Sequence, residues 1–221
     1  MRNVVIAGAT GLVGQIVLAE LLACDDVAQV HVLSRRPLPF THSKMQVHEV
    51  DVTNLGGFSL NSEVDTAFNC LGTTIKKAGN TAAFRAVDQH AVFAVAQLAK
   101  RSAANQFLSI SAIGANPKAS VFYSRVKGEV EVALETMGFD RLVLLQPSLL
   151  TGSREEFRLG ETLGEVVLKP LSLLMLGPLR KYRAISASTV AKAMVSAARD
   201  SANGVHRFTS EQMEALANRS I

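Results

Sequence analysis

Cysteine is scarce in this chain of 221 residues, which contains only two, Cys24 and Cys70. Both lie in apolar stretches, and their separation is not that of metal ligands. A chain of this length should bury roughly 70–75% of its unfolded surface, so it needs neither a metal nor a disulfide to fold. We therefore expect a protein of a reducing compartment, the cytoplasm, rather than a secreted one.

Long apolar runs and blocks of one charge are also missing. The longest apolar stretch, residues 166–179, is interrupted by lysine, glycine and proline and is too short to span a bilayer. The first residues, MRNVVIAG, leave no room for the apolar region of a signal peptide. The formal net charge is only +4 and the basic residues are scattered, which favours no nucleic-acid or membrane partner.

Histidine supplies no metal ligands in the sequence pattern. None of the five histidines forms a ligand pair or lies beside a plausible nucleophile; they are His31, His42, His48, His90 and His206. We therefore expect no metal site.

Strands alternate with helices through most of the chain. Most predicted strands are continuous apolar runs, as a parallel sheet covered on both faces requires. The prediction is an α/β, doubly wound parallel sheet with a Rossmann-like fold, in one domain over residues 1–221 with residues 151–185 as a small C-terminal cap. The predicted strands are residues 3–7, 28–34, 44–50, 64–70, 106–111, 141–147 and 205–209, and an amphipathic helix spans residues 188–200.

The segment GATGLVG places three glycines between the first strand and the first helix. Gly8 allows a tight turn, Gly11 lets a pyrophosphate approach the backbone, and Gly14 permits close contact between helix and strand. The N–H groups at the start of the helix would face the anion, aided by the helix dipole. The alternative is a glycine-rich turn without a ligand, but its place after the first strand favours nucleotide binding. The same predicted site includes Thr10, Leu12 and Val13.

A basic corner, formed by Ser34, Arg35 and Arg36, ends the second strand. An NAD site usually has an acid here for the ribose 2′-hydroxyl, whereas a hydroxyl and two guanidinium groups suit a 2′-phosphate. The sequence therefore predicts NADP(H), and the alternative is a solvated basic corner. Asp51 and Val52 are expected to line the adenine slot. The other residues assigned to the cofactor are Cys70, Leu71, Gly72, Thr73, Lys127 and Pro147.

The segment VFYSRVKGEVE puts Tyr123 and Lys127 four residues apart in a predicted helix that ends near Gly138. Side chains at this spacing stand one turn apart on one helix face. They are either a proton-transfer pair or two ordinary surface side chains, and the spacing alone does not decide. A tyrosine phenol ordinarily has a pKa near 10, so work as a base at neutral pH needs about 4 kcal/mol of phenolate stabilisation. A neighbouring ammonium can supply it.

Four motifs, taken in order, resemble the short-chain dehydrogenase/reductase superfamily: Gly8-x-x-Gly11-x-x-Gly14, NCLGTT, SIS and Tyr123-x-x-x-Lys127. The segments NCLGTT…KAG, FYSRVKGEVE and FDRLVLLQPSLL are more closely similar to an atypical branch, the Tat-interacting-protein-like oxidoreductases. The resemblance runs from residue 3 to about residue 195. It implies that Tyr123 is the general acid/base and that Lys127 stabilises its phenolate and bonds the nicotinamide ribose.

The same resemblance implies that Ser111 orients the substrate oxygen, with Ser109 as the alternative. It also marks one departure, because Asp88 stands where many relatives carry an asparagine that anchors a proton-relay water. Metal chemistry has no place in this pattern.

The sequence is compatible with two functions. The first is an NADP(H)-dependent reductase acting on a small carbonyl compound, and the second is a non-catalytic NADPH-binding redox sensor acting through a protein partner. The Tyr–Lys pair favours the enzyme, because sensors of the superfamily commonly lack it. Residues 166–179 would wall an apolar substrate pocket, form a homodimer surface or be buried core. Arg183 is a candidate to face the cleft.

Overall fold

The computed structural model describes residues 1–152 and 183–219. The strands are β1 (Arg2–Ala7), β2 (Val27–Ser34), β3 (Met45–Glu49), β4 (Thr66–Asn69), β5 (Gln106–Ile110), β6 (Arg141–Gln146), β7 (Leu150–Thr151), β8 (Ile185–Ser186) and β9 (Gly204–Thr209). Seven of them form one parallel sheet in the order β3-β2-β1-β4-β5-β6-β9, and β7 pairs with β8 separately. The strand order reverses between β1 and β4. In open α/β sheets, ligands bind outside the carboxyl ends of the strands at such a switch point.

Helices cover both faces of the sheet. They are α1 (Gly14–Ala23), α2 (Ile75–Ala78), α3 (Thr81–Arg85), α4 (Val92–Arg101), α5 (Phe122–Thr136), α6 (Ala187–Ala197) and α7 (Ser210–Ala217). A π-helical turn, Ala86–Ala91, joins α3 to α4. We call this continuous stretch, residues 81–101, the helical run.

Each face of the sheet has its own hydrophobic core. Along β1, Val4 and Ile6 enter the core beneath α1 and α6, whereas Val5 and Ala7 enter the core beneath α4 and α5. Successive strand side chains point to opposite faces, so a strand buried on both sides must be apolar at every position. The predicted doubly wound parallel fold is confirmed.

The structure contains one helix that the sequence prediction lacks, and it bears out the predicted end of another at Gly138. The interpretation stopped at the last strand and missed α7, although Gln212 accepts a hydrogen bond from the Thr209 N–H at 2.9 Å in a capping box. Helix α5 ends at Thr136, and Gly138, with a φ of 69°, lies just beyond it. Residues 166–179 and most of the predicted cap over residues 151–185 lie outside the described residues.

Within residues 1–152 and 183–219, no helix is both long enough and apolar enough to cross a bilayer.

Candidate cofactor and active site

The glycine loop between β1 and α1 is folded tightly against the end of β4. Gly8 has a φ of 85°, and a Cβ added there would lie 2.5 Å from the carbonyl carbon of Cys70. A Cβ on Gly14 would lie 2.1 Å from the Gly8 oxygen. Side chains at either position would collide with backbone atoms. The two glycines therefore allow β1, β4 and the start of α1 to meet at the switch point.

The first turn of α1 is open to an anion. Gly11 N–H donates to the Gly8 oxygen at 2.9 Å, which closes the turn, and no side chain caps the helix. The first turn holds no acidic residue, so the helix dipole and the N–H groups there are not neutralised by a side chain. Leu12 is half-buried, the Val13 side chain is in the core and Thr10 is exposed. A loop of this form fits the pyrophosphate of a dinucleotide.

In the basic corner at the end of β2, the backbone is held by hydrogen bonds from Ser34 and not by the arginine side chains. Its buried hydroxyl donates to the Arg36 carbonyl at 2.7 Å and accepts the Arg36 N–H at 3.3 Å. The side chains of Arg35 and Arg36 are exposed. A phosphate at this corner would therefore meet free guanidinium groups and a hydroxyl that is already occupied.

Asp51 lies beside this corner but is engaged locally. Its Oδ1 accepts the N–H of Thr53 at 2.9 Å and the Thr53 hydroxyl at 2.8 Å. These bonds, with a smaller contribution from the Arg35 charge, lower the pKa of the Asp51 carboxyl. Val52 is buried in the core beneath α4, so only a small part of its side chain is available to an adenine ring.

The loop after β4 is attached to the helical run. The Thr73 N–H donates to Asp88 Oδ2 at 2.8 Å, and Leu71 packs against the core on that side. Cys70 N–H donates to the Ala7 oxygen at 2.8 Å, and burial raises the pKa of the Cys70 thiol to about 12. This thiol is a packing group, not a nucleophile. Gly72, which lies between Cys70 and Thr73 in this loop, is exposed.

Tyr123 and Lys127 lie on the face of α5 that packs against the helical run. The Tyr123 ring contacts the Phe84 ring, with centroids 5.7 Å apart. One turn along, Lys127 Nζ is 2.8 Å from Asp88 Oδ1, and their side chains are only 6% and 0% exposed. Lys127 is therefore not a solvated surface charge. It is half of a buried ion pair.

Ser111 reaches a second buried acid that the sequence interpretation missed. Its hydroxyl donates to Glu131 Oε1, and the carboxylate of Glu131 also accepts Gln146 Nε2 at 2.9 and 3.0 Å. Glu131 is 5% exposed and lies one turn beyond Lys127 on α5. Glu131 could have been found from the sequence, because Tyr123, Lys127 and Glu131 are spaced i, i+4 and i+8 and therefore share one helix face.

Ser109, the alternative to Ser111, is bonded within the sheet. Its hydroxyl accepts Asn69 Nδ2 at 2.9 Å across neighbouring strands. A small pocket between α5, the helical run and β5 collects the polar groups of the region: Asp88, Ser109, Ser111, Lys127 and Glu131.

Two predicted residues lie at the end of β6 and beyond it. The Pro147 carbonyl accepts the N–H of Ile113 at 2.9 Å, which links β6 to the loop before α5. Arg183 opens the second described range, and its carbonyl accepts the Ser148 hydroxyl. Among the described residues, no cluster of three or more His, Cys, Asp or Glu side chains could hold a metal ion.

Residues 4–129, which run from the first strand through Lys127, match the NAD dependent epimerase/dehydratase family. The chain belongs to this family. Protein HTATIP2 of Rattus norvegicus is 33% identical over 224 residues, an alignment that covers 100% of this chain and 88% of the rat protein. Protein FMP52, mitochondrial, of Coccidioides immitis (strain RS) is 29% identical over 234 residues, covering 100% of this chain and 95% of that protein.

A solved structure, the Bordetella bronchiseptica enzyme WbmF in complex with NAD+, matches the fold of this epimerase/dehydratase family member with a TM-score of 0.65. It is 17% identical, and the match covers 98% of this chain and 77% of that structure. At this identity the likeness concerns the fold alone.

Family membership bears out the coarser sequence predictions. The resemblance to the Tat-interacting-protein-like oxidoreductases is confirmed by the match to HTATIP2. The family supports an NAD(P)-dependent oxidoreductase, as the motifs indicated. One relative is named mitochondrial, so a cytoplasmic location stays a prediction for this member of the family.

Proposed function

We propose that this protein is an NADP(H)-dependent reductase of a small carbonyl compound, with Tyr123 as the acid and Lys127 as its neighbour. The observation that carries the proposal is the position of this pair. Lys127 is buried against Asp88, which also holds the loop after β4, and that loop touches the glycine loop through Cys70. The pair and the dinucleotide cradle are thus linked through three short contacts, Lys127 to Asp88, Asp88 to Thr73 and Cys70 to Gly8, at the carboxyl ends of the strands.

NADPH, when bound, supplies a hydride to the carbonyl carbon of the substrate. Tyr123 gives its phenolic proton to the carbonyl oxygen, which becomes a hydroxyl. Lys127 forms an ion pair with Asp88, and its ammonium group carries three protons that it can donate. Those protons are available to a ribose hydroxyl and to the Tyr123 oxygen.

Ser111 contributes a hydrogen-bond acceptor in this arrangement. A serine hydroxyl has one proton, and that of Ser111 is donated to Glu131. Its oxygen can therefore accept a bond from the hydroxyl of the product alcohol. To donate to a carbonyl substrate, Ser111 must first turn its proton away from Glu131.

Preference for NADP(H) rests on the basic corner. Arg35 and Arg36 are exposed beside the end of β2, and the acid in the neighbourhood, Asp51, is already bonded to Thr53. Two guanidinium groups pair well with a phosphate, and no acid at the end of β2 repels it. Residues 151–185 are proposed to cover the substrate side. We also propose that the protein forms a homodimer and that its substrate is apolar.

The test of cofactor choice is direct titration of the protein with NADPH and NADH. We expect tighter binding of NADPH, and we expect Arg35→Ala with Arg36→Ala to cost about 1.5–3 kcal/mol for each charged hydrogen bond lost. NADH affinity should hardly change. Arg219→Ala, which removes another exposed arginine, is the matched control. Equal affinities of the parent protein for the two cofactors would refute the assignment.

The alternative is an NADPH-binding sensor without turnover. It is favoured by the fact that Lys127 and Ser111 both have partners inside the protein. A panel of aldehydes and ketones, assayed by NADPH consumption, separates the two functions. The enzyme consumes NADPH with at least one of them, and the sensor with none.

A further inference from the structure

Two histidines of neighbouring strands form a pair on the face of the sheet that α4 and α5 cover, the same face as Leu33. His31 of β2 is only 1% exposed, and its Nδ1 lies 3.0 Å from Nε2 of His48 in β3. The two rings are stacked, with centroids 5.2 Å apart. The other ring nitrogen of His31, Nε2, lies 2.9 Å from the hydroxyl of Ser62. Both nitrogens of the buried imidazole therefore have a hydrogen-bonding partner, one in the sheet and one outside it.

The partner outside the sheet belongs to the connection between β3 and β4, residues 50–65, which we call the β3–β4 loop. Besides Ser62, this loop places Phe58 against the pair, edge to face with His48 at 5.4 Å between ring centroids. Leu55, in the middle of the loop, is fully buried in the core beneath α4 and α5. The β3–β4 loop thus covers the histidine pair.

The same loop begins at the predicted adenine end of the cofactor site. The Val50 N–H donates to the Ser34 oxygen at 2.9 Å, which joins the loop to the basic corner. Asp51 and Val52, the residues assigned to the adenine slot, follow directly. A movement of the β3–β4 loop away from the histidine pair would therefore also displace the adenine side of the site.

The pair can hold few protons while the loop is closed. A neutral imidazole donates through one nitrogen and accepts through the other, whereas an imidazolium donates through both. With both rings protonated, two N–H groups would face each other across the 3.0 Å between His31 and His48. Burial lowers the pKa of both histidines, and the charge of His48 adds to the effect on His31. In an open loop, water solvates the rings and their pKa values return toward about 6.5.

The charged groups on the elements packed around the pair are Arg2 of β1, Glu49 of β3, Arg101 of α4, and Asp51, Glu63 and Asp65 of the β3–β4 loop. Arg101 Nη2 donates to the Leu55 oxygen at 3.0 Å, and Asp65 Oδ2 accepts an N–H of β1 at 2.8 Å. Arg2 is paired with Asp26 at 2.6 Å, and the two glutamates are exposed. None of these groups offsets the burial of the two rings, since the pKa of each ring is lowered.

We propose that His31 and His48 hold the β3–β4 loop closed at neutral pH, and that protonation of the pair releases this loop and weakens cofactor binding at its adenine end. The open loop binds up to two more protons than the closed loop does. Its population therefore grows by about tenfold per pH unit for each histidine once the pH falls below about 6.5. The release needs no cofactor; only its effect on affinity rests on the proposed function.

The test is amide hydrogen exchange of the protein without cofactor, at pH 7.0 and pH 5.5 and corrected for the intrinsic exchange rates. Three hydrogen-bonded amides report the loop: Asn54 to the Asp51 oxygen at 2.9 Å, Phe58 to the Leu55 oxygen at 3.2 Å and Val64 to the Ser102 oxygen at 2.9 Å. Their protection should fall by about tenfold if one histidine takes up a proton and by about a hundredfold if both do. The amides of β5 report the rest of the sheet and should lose less. Unchanged protection in the loop, or an equal loss in the loop and in β5, overturns the proposal.

The double variant His31→Gln/His48→Gln removes both titrating rings and should abolish the loss of loop protection in acid. His42→Gln, which removes an exposed histidine from the chain before β3, is the matched control and should respond to pH as the parent does. If the double variant does not fold, His48→Gln alone leaves one titrating ring, and the loss should shrink to about tenfold or less. A loss in the folded variant that equals the parent's overturns the proposal.

Titration with NADP+ at the same two pH values tests the effect on affinity. The 2′-phosphate itself titrates near pH 6, so only the difference between the parent and the double variant measures the histidine pair. We expect the parent to lose more affinity in acid than the double variant does, and equal losses would overturn this part of the proposal. A parent protein that binds no NADP+ at pH 7.0 would refute the proposed function and leave the exchange result intact.

Discussion

Gly128, directly after Lys127 in α5, provides a prediction in which two effects oppose each other. Alanine is favoured over glycine inside a helix by about 1 kcal/mol, so helix propensity alone predicts that Gly128→Ala stabilises the protein. The structure predicts the reverse. A Cβ at this position would lie 2.2 Å from the carbonyl carbon of Asn116 and 2.3 Å from the nitrogen of Pro117.

These neighbours are backbone atoms that cannot turn aside. Asn116 N–H donates to the Ser124 oxygen at 3.0 Å, which ties this loop to α5 itself, and Asn116 Oδ1 accepts the Lys118 N–H at 2.9 Å. Overpacking of this kind costs about 1–3 kcal/mol and sometimes more. Taking the upper end and subtracting the gain in propensity, we expect a net loss of about 2 kcal/mol.

Thermal and urea unfolding measure this loss. For a chain of this length, about 2 kcal/mol corresponds to a fall in Tm of about 4–8 °C. Gly57→Ala is the control, because nothing lies within 4 Å of a Cβ there and its φ is not positive. It should leave the Tm almost unchanged. A Gly128→Ala protein as stable as the parent, or more stable, would refute the close packing of α5 on this loop.

Two further predictions concern the glycine loop and a buried histidine pair. Gly11→Val should abolish binding of both NADPH and NADH, measured by titration, because a branched side chain would fill the space of the pyrophosphate; normal NADPH binding by the folded variant would exclude this loop as the cradle. His31 Nδ1 and His48 Nε2 are 3.0 Å apart, and burial lowers the pKa of both, with the charge of His48 adding to the effect on His31. The unfolded chain therefore binds protons at a higher pH than the folded one, so the free energy of unfolding should fall as the pH drops below about 6.5. Urea unfolding at pH 7.5 and pH 5.0 tests this, because most carboxyl groups titrate below this pH range. Equal free energies of unfolding at the two pH values would contradict the prediction.

The fold was predictable because its signals are local. Each buried strand of the parallel sheet is a short apolar run, and the glycines that turn the chain from β1 into α1 are recognisable from their spacing. The two cores follow from the same pattern, since strands covered on both faces lose the alternation of polar and apolar side chains. Helix α7 was missed because its capping box follows immediately on a strand, where a turn was not expected.

The partners of the site residues were not predictable in the same way. The spacing of Tyr123 and Lys127 placed them on one helix face, but Asp88 is 39 residues from Lys127 in sequence and reaches it only through the π-helical turn. No periodic pattern in the sequence predicts a π-helical turn. Glu131 was visible as a third residue of the same face, yet its bond to Ser111 depends on how α5 packs over β5.

The central claim is that Tyr123 is the proton donor of an NADPH-dependent reductase, and the measurement closest to it is the turnover of Tyr123→Phe. The substitution removes a hydroxyl and leaves the ring against Phe84. On any carbonyl substrate found with the parent protein, we expect kcat to fall by about 10²–10⁴ while the Kd for NADPH stays the same. A Tyr123→Phe protein that consumes NADPH at the rate of the parent would contradict the claim.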